Sequence, residues 1–373
     1  MAAVDEQMTS PYMEWAKKRP SPRFDLAGSH VLACTLADLE GAREAIDLSG
    51  RNESGYTPLL EAIAGRYGVA PEQVTTAQGT SGANFLVCAA LLRPGDDVLA
   101  ELPGYDPLLG AARLLGASVV PFERRFEERY VLKPKRIARA MTPRTKLIVL
   151  TSPHNPTGIV AETAALEAIG RLAATQGAHV LVDEVYMDAA ESPVRPAAAL
   201  GEVFISTSSL TKSYGLSGLR CGWTLSSPGI AERIRRARDL VDGTGSIVAE
   251  RLAVLAFAQL DRLLERARSL LAANHALLLD FLRSRPELEW IEPGGGTVVF
   301  PRVRGMADTS ALAERLLLER ETAIVPGRFF EAPEHFRLGF NIETDRLAGG
   351  LEALTAELDA QRGRPAEAIS TPS

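Results

Sequence analysis

Short, uninterrupted hydrophobic runs alternate with helical patterns through the middle of the chain. The segments 147–150 and 179–182 are typical of buried strands, and between them apolar residues recur at helical spacing over residues 164–172 until Gly177. Strands that are apolar on both faces are typical of a parallel sheet covered by helices on each side. The pattern predicts an α/β fold in which ligands bind at the carboxyl ends of the strands.

The alternation of strand and helix starts early and stops well before the end of the chain. A predicted strand at residues 74–76 leads into Gly79 and a helix, and another strand follows at residues 97–100. After Gly229 long helices dominate, the last of them predicted to run over residues 249–282. A helix of that length could link two domains.

The chain is predicted to form two domains and a tail. The large domain spans residues 47–275, and a small α+β domain consists of residues 1–46 together with residues 276–361, where short strand-like segments are separated by Gly and Pro. Residues 362–373 are rich in Pro, Ala and Ser, and this composition predicts a disordered tail.

Composition argues against several classes of function. The 41 Lys and Arg residues against 47 Asp and Glu residues leave a formal charge of -6, so no positive field is available to attract nucleic acid. The three cysteines are far apart and predict neither a disulfide framework nor a metal site. The longest apolar run, residues 86–92, is too short to span a membrane, and the N-terminal segment lacks an apolar targeting core. We therefore expect a cytoplasmic protein without a membrane or nucleic-acid partner.

Reactive side chains follow two of the predicted strands. Lys212 stands among small and hydroxylic residues in STSSLTKSYG, and Asp183 ends the strand at residues 179–182. A desolvated lysine has a lowered pKa and can form an imine with an aldehyde, whereas a buried carboxylate needs a cationic partner. The ordinary alternatives are a solvated surface lysine and an aspartate that caps the next helix.

A glycine-containing helix start is a candidate phosphate site. Gly79, Thr80 and Ser81, in QGTSGAN, stand where a strand gives way to a helix, so backbone amides and the helix dipole point at one place. The segment is neither GxGxxG nor GxxxxGK[ST], which argues against a dinucleotide or a nucleoside triphosphate. Asn155, in SPHNPTG, belongs to a turn under any interpretation.

The segments QGTSGAN, SPHNPTG, VDEVYMD and STSSLTKSYGLSGLRCGW, taken in this order, resemble the fold-type I pyridoxal-phosphate-dependent enzymes. Within them the chain is most similar to the class I/II aminotransferases of the aspartate-aminotransferase type. The resemblance runs from about Tyr56 to Asn341. It implies a large domain with a mostly parallel sheet sandwiched by helices, a smaller α+β domain, and pyridoxal 5'-phosphate as the cofactor.

The resemblance also implies roles around the cofactor ring. Lys212 would hold the cofactor as a Schiff base and shuttle the proton at the substrate α-carbon, while Asp183 would pair with the pyridine nitrogen. Tyr186 and Asn155 would donate hydrogen bonds to the cofactor 3' oxygen. Tyr105, in LPGYDP, would stack on the ring, unless it is an ordinary core or turn tyrosine.

Further roles concern the phosphate, the substrate and a second subunit. Ser209 and Arg220 would join Gly79, Thr80 and Ser81 around the phosphate, and Arg337, in HFRLGFN, would bind the substrate α-carboxylate bidentately. Tyr56 would cross a subunit boundary to reach the neighbouring phosphate, which implies a homodimer with shared active sites. The ordinary alternatives are a surface arginine for Arg220, a structural salt bridge for Arg337 and a plain helix anchor for Tyr56.

The chain departs from the family pattern in the N-terminal loop that borders the substrate side chain. The loop reads DLAGSH, without the usual proline, and only Gly28 matches. A dicarboxylate substrate would need a second cation, for which Arg23, His30 and Arg51 are candidates that spacing does not separate.

The function predicted from these residues is amino transfer from an L-amino acid to a 2-oxo acid by a ping-pong mechanism. The same residues also serve carbon–sulfur lyases and biosynthetic cyclases, because the cofactor makes the carbanion and the pocket decides its fate. A non-catalytic cofactor-sensing module is a remote alternative. It would need an added DNA-binding segment, for which the region before Tyr56 is too short and too poor in basic residues.

Overall fold

The strands expected from apolar runs lie side by side in one sheet. The computed structural model describes residues 9–190 and 195–362, and its strands within these ranges are numbered in chain order. The strands are β1 (Phe24–Asp25), β2 (Val74–Gln78), β3 (Asp97–Leu102), β4 (Ser118–Glu123), β5 (Thr145–Thr151), β6 (His179–Asp183), β7 (Phe204–Ser209), β8 (Cys221–Leu225), β9 (Leu288–Glu289), β10 (Val298–Val299), β11 (Arg302–Val303), β12 (Thr322–Ala323), β13 (Val325–Pro326) and β14 (Phe336–Gly339).

Helices cover this sheet and build the second part of the molecule. Several of them begin with Pro in the first turn, where its missing N–H leaves no hydrogen bond unmade. The helices are α1 (Pro11–Lys18), α2 (Ala42–Ala45), α3 (Thr57–Tyr67), α4 (Gly79–Leu91), α5 (Asp106–Leu114), α6 (Pro134–Ala140), α7 (Thr163–Thr175), α8 (Pro228–Val241), α9 (Ile247–Phe257), α10 (Leu260–Ser284), α11 (Ser310–Arg320) and α12 (Thr344–Arg362).

Seven strands form the central sheet in the order β2-β8-β7-β6-β5-β3-β4. Strand β8 runs antiparallel to both of its neighbours, and the remaining strands pair in parallel. The α/β fold with a mostly parallel sheet is therefore confirmed. Strand β8 was not anticipated from the sequence, and its reversed direction turns out to matter for the site.

Successive residues of β5 explain why a continuous apolar run was needed. Leu147 and Val149 pack into the core beneath α4, α5 and α8, whereas Ile148 and Leu150 pack into the core beneath α6 and α7. Because the side chains of a strand alternate between faces, a strand buried on both faces must be apolar at every position.

Helix α10 joins two hydrophobic cores. Leu263 packs in the core with α3, α9 and β8, whereas Leu278 packs in the core with α11, α12 and β14. The continuous helix expected over residues 249–282 is wrong, because the chain turns at Ala258 and Gln259 between α9 and α10. The Gln259 side chain holds this turn, accepting from the Glu40 N–H at 3.2 Å and donating to the Glu40 carbonyl at 3.0 Å.

The second core contains short strands, and the N-terminal segment pairs with one of them. Strands β10, β14 and β13 form an antiparallel sheet, and β1 pairs in parallel with β12. The proposed domain boundary at residue 275 lies inside α10, and Leu39 packs with the core of the large sheet. Apart from Arg362, where α12 ends, the tail expected over residues 362–373 lies outside the described residues. Among the helices described, none is long and apolar enough to cross a membrane.

A buried ion pair fixes the end of β3. Arg124 Nη1 lies 2.9 Å from Glu101 Oε2, Arg124 Nε donates to the Tyr130 carbonyl at 2.6 Å, and both charged side chains are almost completely buried. Glu101 Oε1 also accepts from the N–H and hydroxyl of Thr151, each at 2.6 Å. Burial raises the pKa of Glu101, so the neighbouring guanidinium is needed to keep the carboxylate ionised.

Arg124→Met should lower the free energy of unfolding by about 3–5 kcal/mol, because it leaves the Glu101 carboxylate buried without its cation. Urea denaturation at fixed protein concentration measures the change. Arg125→Met is the matched control, since Arg125 pairs with Glu123 on the exposed surface and should give no measurable change. Equal effects of the two substitutions would contradict a stabilising role for the buried pair.

Candidate functional site

The register of the sheet brings polar residues together at one edge. Thr151, Asp183 and Thr207 are neighbours at the carboxyl ends of β5, β6 and β7. Strand β8 runs in the opposite direction and so begins at this same edge, which brings Arg220, the residue before it, to the end of β7. A cavity of about 680 Å³ opens here.

Most residues predicted for the site surround this cavity. Those that line it are Gly28, Thr80, Ser81, Tyr105, Asn155, Asp183, Tyr186, Ser209, Lys212 and Arg220. Gly79, Arg337 and Tyr56 do not line it directly. Gly79 packs beneath the Arg220 guanidinium, and Arg337 lies behind Asn155.

Asp183 is a partly buried carboxylate with neutral hydrogen-bond partners. Its Oδ2 accepts from Asn84 Nδ2 at 2.9 Å and its Oδ1 accepts from the Val185 N–H at 3.1 Å. Asn84 is oriented in turn by the Thr207 hydroxyl, which donates to its Oδ1 at 2.7 Å. Burial raises the pKa of Asp183 to about 6, against the opposing effect of the Asn84 hydrogen bond. A protonated ring nitrogen at this position would supply the missing counter-charge.

Lys212 follows β7 and enters the same cavity. Its Nζ donates to Ser29 Oγ at 3.2 Å and lies 5.9 Å from the centre of the Tyr186 ring. Burial lowers the pKa of Lys212 to about 8, so a substantial fraction of the amine is neutral near physiological pH. A neutral amine is the form that attacks an aldehyde or accepts a proton.

The start of α4 offers the features that a phosphate needs. Gly79 has φ +70°, and a Cβ at this position would overlap the Arg220 guanidinium, so only glycine lets the two approach. The hydroxyl oxygens of Thr80 and Thr211 are buried without a hydrogen-bond partner among the described residues, although both residues line the cavity. Buried hydroxyls rarely stay unpaired. With the Arg220 charge and the helix N-terminus beside them, they fit a bound phosphate.

Arg337, on β14, is almost completely buried and has neutral oxygen partners. Its Nη1 donates to Asn155 Oδ1 at 2.9 Å, and its Nη2 donates to the Tyr12 hydroxyl at 2.9 Å and the Ala27 carbonyl at 3.0 Å. Its Nε has no partner among the described residues. A buried guanidinium with this set of partners is suited to bind an anion such as a carboxylate.

The candidates for a second cation lie in different places. His30 is exposed at the cavity, whereas Arg23 lies over the Phe24 ring, 5.0 Å from its centre, and Arg51 pairs with Glu53 on the surface. Of these three candidates only His30 reaches the cavity. Lys17, on α1, also lines it and was not anticipated.

Tyr56 precedes α3 and does not line the cavity formed by its own chain. It is half-buried, and the Arg251 guanidinium lies 5.7 Å from its ring centre. The segment before it is joined to the turn between α8 and α9, because Asn52 Nδ2 donates to the Gly245 carbonyl at 2.9 Å. Leu48 and Val241, which flank these two segments, are exposed.

Three residues in contact with the predicted site were not anticipated. Asn84 orients Asp183, Ser29 contacts Lys212, and Tyr12 contacts Arg337. The first belongs to QGTSGAN and the second to DLAGSH, so position within those segments could have indicated them. No pattern in the sequence around Tyr12 could have indicated its contact, because its partner, Arg337, is distant in the chain.

Known proteins resemble this chain over nearly its whole length. The sequence profile described as "Aminotransferase class I and II" matches residues 32–354. The capreomycidine synthase of Streptomyces vinaceus is 31% identical in an alignment of 371 positions that covers 95% of each chain.

Two solved structures share the fold. A PLP-dependent aminotransferase from Streptococcus suis has a TM-score of 0.88 at 29% identity, covering 93% of this chain and 96% of that one. A PLP-dependent cyclase, OrfR, has a TM-score of 0.85 at 26% identity, covering 95% and 97%. With the profile match spanning most of the sequence, the chain belongs to the aminotransferase class I and II family, whose cofactor is pyridoxal 5'-phosphate.

Proposed function

We propose that the protein is an aminotransferase that moves the amino group of an L-amino acid to a 2-oxo acid by a ping-pong mechanism. The observation that carries the proposal is the convergence of Lys212 and Asp183 on one cavity at the carboxyl edge of the sheet, with Arg337 directly behind Asn155, which lines it. The Lys212 amine suits a cofactor aldehyde, and the Asp183 carboxylate suits a cationic ring nitrogen. The buried Arg337 guanidinium suits a substrate carboxylate.

The residues of the large domain hold and tune the cofactor in this proposal. When bound, pyridoxal 5'-phosphate accepts the electron pair released as a bond at the substrate α-carbon breaks. Asp183 keeps the ring nitrogen protonated, supported by Asn84. Tyr186 and Asn155 would donate to the 3' oxygen. Thr80, Ser81, Ser209 and Arg220 would hold the phosphate, and Tyr105 would stack on the ring.

Lys212 and Arg337 act on the substrate. Arg337 holds the α-carboxylate so that the α-carbon proton faces the amine. Lys212, whose neutral form is accessible because burial lowers its pKa to about 8, takes that proton and later returns it as the acid. Gly28 lies in the loop at the substrate side, where a Cβ would come within 3.4 Å of the Asn341 side-chain amide.

The enzyme is further proposed to act as a homodimer with shared active sites. Tyr56 is partly exposed, and Leu48 and Val241, which flank the two segments joined by Asn52 and Gly245, expose apolar side chains. Exposed apolar side chains in one region are typical of an interface. Across such an interface Tyr56 would reach the neighbouring phosphate.

A cyclase or a carbon–sulfur lyase is the second candidate function. The match to the relative named capreomycidine synthase covers 95% of this chain. It is therefore longer than the match to the family profile, which covers residues 32–354. The solved cyclase OrfR shares the fold. Because the same residues remove the α-proton in either case, the fate of the substrate side chain decides the outcome.

When the holoenzyme is titrated with a panel of L-amino acids, some of them should change the visible absorption spectrum of the bound cofactor. Turnover should require a 2-oxo acid. Lys212→Ala should lower the conversion rate by about 10²–10⁴-fold, because the proton shuttle is lost. Absorbance and product chromatography measure both effects. Release of a cyclic product, or of pyruvate and ammonia, without any 2-oxo acid would support the second candidate instead.

The rate of cofactor attachment to the cofactor-free protein should rise as the pH increases through about 8, because only the neutral Lys212 amine attacks the aldehyde. An ordinary lysine would require a pH above about 10. Absorbance stopped-flow from pH 6.5 to 9.5 measures the profile, with Nα-acetyl-lysine as the reference amine. A midpoint equal to that of the reference amine would contradict the lowered pKa.

Mixing Lys212→Ala subunits with Tyr56→Ala subunits should restore about a quarter of wild-type activity, because half of the dimers are hybrids with one intact site each. Neither variant alone should be fully active. Activity before and after reversible subunit exchange, together with sedimentation, measures the effect. A monomer, or no gain on mixing, would contradict shared sites.

A further inference from the structure

Helix α1 forms a wall of the cavity. Tyr12, Met13 and Trp15 all line it, and the Ser10 hydroxyl caps the helix by accepting from the Met13 N–H at 3.4 Å. The helix precedes residue 32, where the family profile begins to match. The wall is therefore supplied by a segment that the family match does not describe.

Tyr12 contacts the guanidinium assigned to the substrate carboxylate. Its hydroxyl accepts from Arg337 Nη2 at 2.9 Å, and its ring centre lies 5.5 Å from the Arg337 Cζ. Arg337 also donates from Nη1 to Asn155 Oδ1 and from Nη2 to the Ala27 carbonyl, whereas its Nε has no partner among the described residues. No carboxylate within residues 9–190 and 195–362 forms an ion pair with Arg337. Tyr12 is thus one of three neutral groups that orient a buried cation.

The Tyr12 ring is itself held in place on two sides. It makes edge contacts with Tyr105, at 5.4 Å between ring centres, and with Phe329, at 5.9 Å. The Tyr105 hydroxyl also reaches Met13 Sδ, at 3.7 Å. Edge-to-face packing of this kind fixes the ring orientation and stabilises the contact beyond simple burial. Helix α1 is therefore packed directly against the residue proposed to stack on the cofactor.

The far end of α1 is anchored beside the same site. Arg19, which follows the helix, donates from Nη2 to both oxygens of Asp25, at 2.9 and 2.7 Å. Asp25 Oδ1 accepts from the Ala27 N–H at 3.1 Å, and Ala27 supplies a carbonyl to Arg337. Movement of α1 would consequently disturb two of the three groups that hold the Arg337 guanidinium.

We propose that Tyr12 is a substrate-positioning residue: through its hydroxyl, helix α1 holds Arg337 in the orientation that binds the α-carboxylate of the amino acid. The inference rests on the proposed function of Arg337. Tyr12 itself takes no proton in this scheme. It fixes the direction of the guanidinium and, with α1, covers the carboxylate once it is bound, so its loss weakens binding more than it slows the chemical step.

Tyr12→Phe keeps the ring and removes the hydroxyl, which isolates the hydrogen bond. In the holoenzyme we expect KM for the preferred amino acid to rise about 10-fold with little change in kcat. This increase corresponds to a loss of about 1.4 kcal/mol of binding free energy. The dissociation constant of the 2-methyl analogue of that amino acid, which has no α-proton to remove, should rise by the same factor in a calorimetric titration. Amide hydrogen exchange of residues 13–18 should slow when the analogue binds the wild-type protein, and less so in the variant.

Tyr130→Phe is the matched control. Tyr130 belongs to the same hydrophobic cluster as Tyr12, but its hydroxyl bonds to His335 Nε2 at 2.8 Å instead of Arg337. This variant should leave KM and the analogue affinity unchanged. Wild-type affinity in Tyr12→Phe, or an equal loss in both variants, would overturn the role of Tyr12. Failure of the wild-type holoenzyme to bind any 2-methyl amino acid would instead overturn the proposed function, and this inference with it.

Discussion

The desolvation of charged groups at the carboxyl edge of the sheet is the constraint on which the site depends. Burial raises the pKa of Asp183 to about 6 and lowers that of Lys212 to about 8, while Arg337 is buried among neutral oxygens. Within residues 9–190 and 195–362 none of these three groups forms an ion pair with another side chain. A cationic ring nitrogen would pair with Asp183 and an α-carboxylate would pair with Arg337, so the protein places these charged groups where ligands would bind them, at a cost to its own stability.

Interactions behind the site stabilise the scaffold and so offset this cost. The Glu101–Arg124 pair fixes the end of β3 and, through Thr151, the end of β5. Asn155 follows, its N–H donating to the Thr151 hydroxyl at 3.1 Å. The residues that touch the cavity are thus supported by a hydrogen-bonded layer beneath them. Such support fixes orientation, which catalysis by positioned groups requires.

The large sheet and the N-terminal segment both contribute to the cavity. Lys212 and Asp183 come from the large sheet, and Gly28 with its neighbours comes from the N-terminal segment. Arg337, on β14, lies behind Asn155 and does not line the cavity. Helix α10 holds the two cores together. In the proposed mechanism the substrate side chain would face the wall that is built largely from the N-terminal segment. Cofactor chemistry and substrate choice would then depend on different parts of the chain.

The sequence by itself determined the buried parallel strands and the candidate residues at their ends. Apolar runs such as residues 147–150 must be buried on both faces, so local pattern was sufficient for these strands. Asp183 ends one predicted strand and Lys212 lies shortly after another, while their predicted roles came from the family resemblance. The direction of β8, the turn at Gln259 and the contacts of Tyr12 were decided by tertiary structure alone. Each depends on partners far away in the chain: Gln259 bonds to Glu40, and Tyr12 to Arg337. Hydrophobic periodicity records which face of an element is buried, but not which distant residue will lie against it.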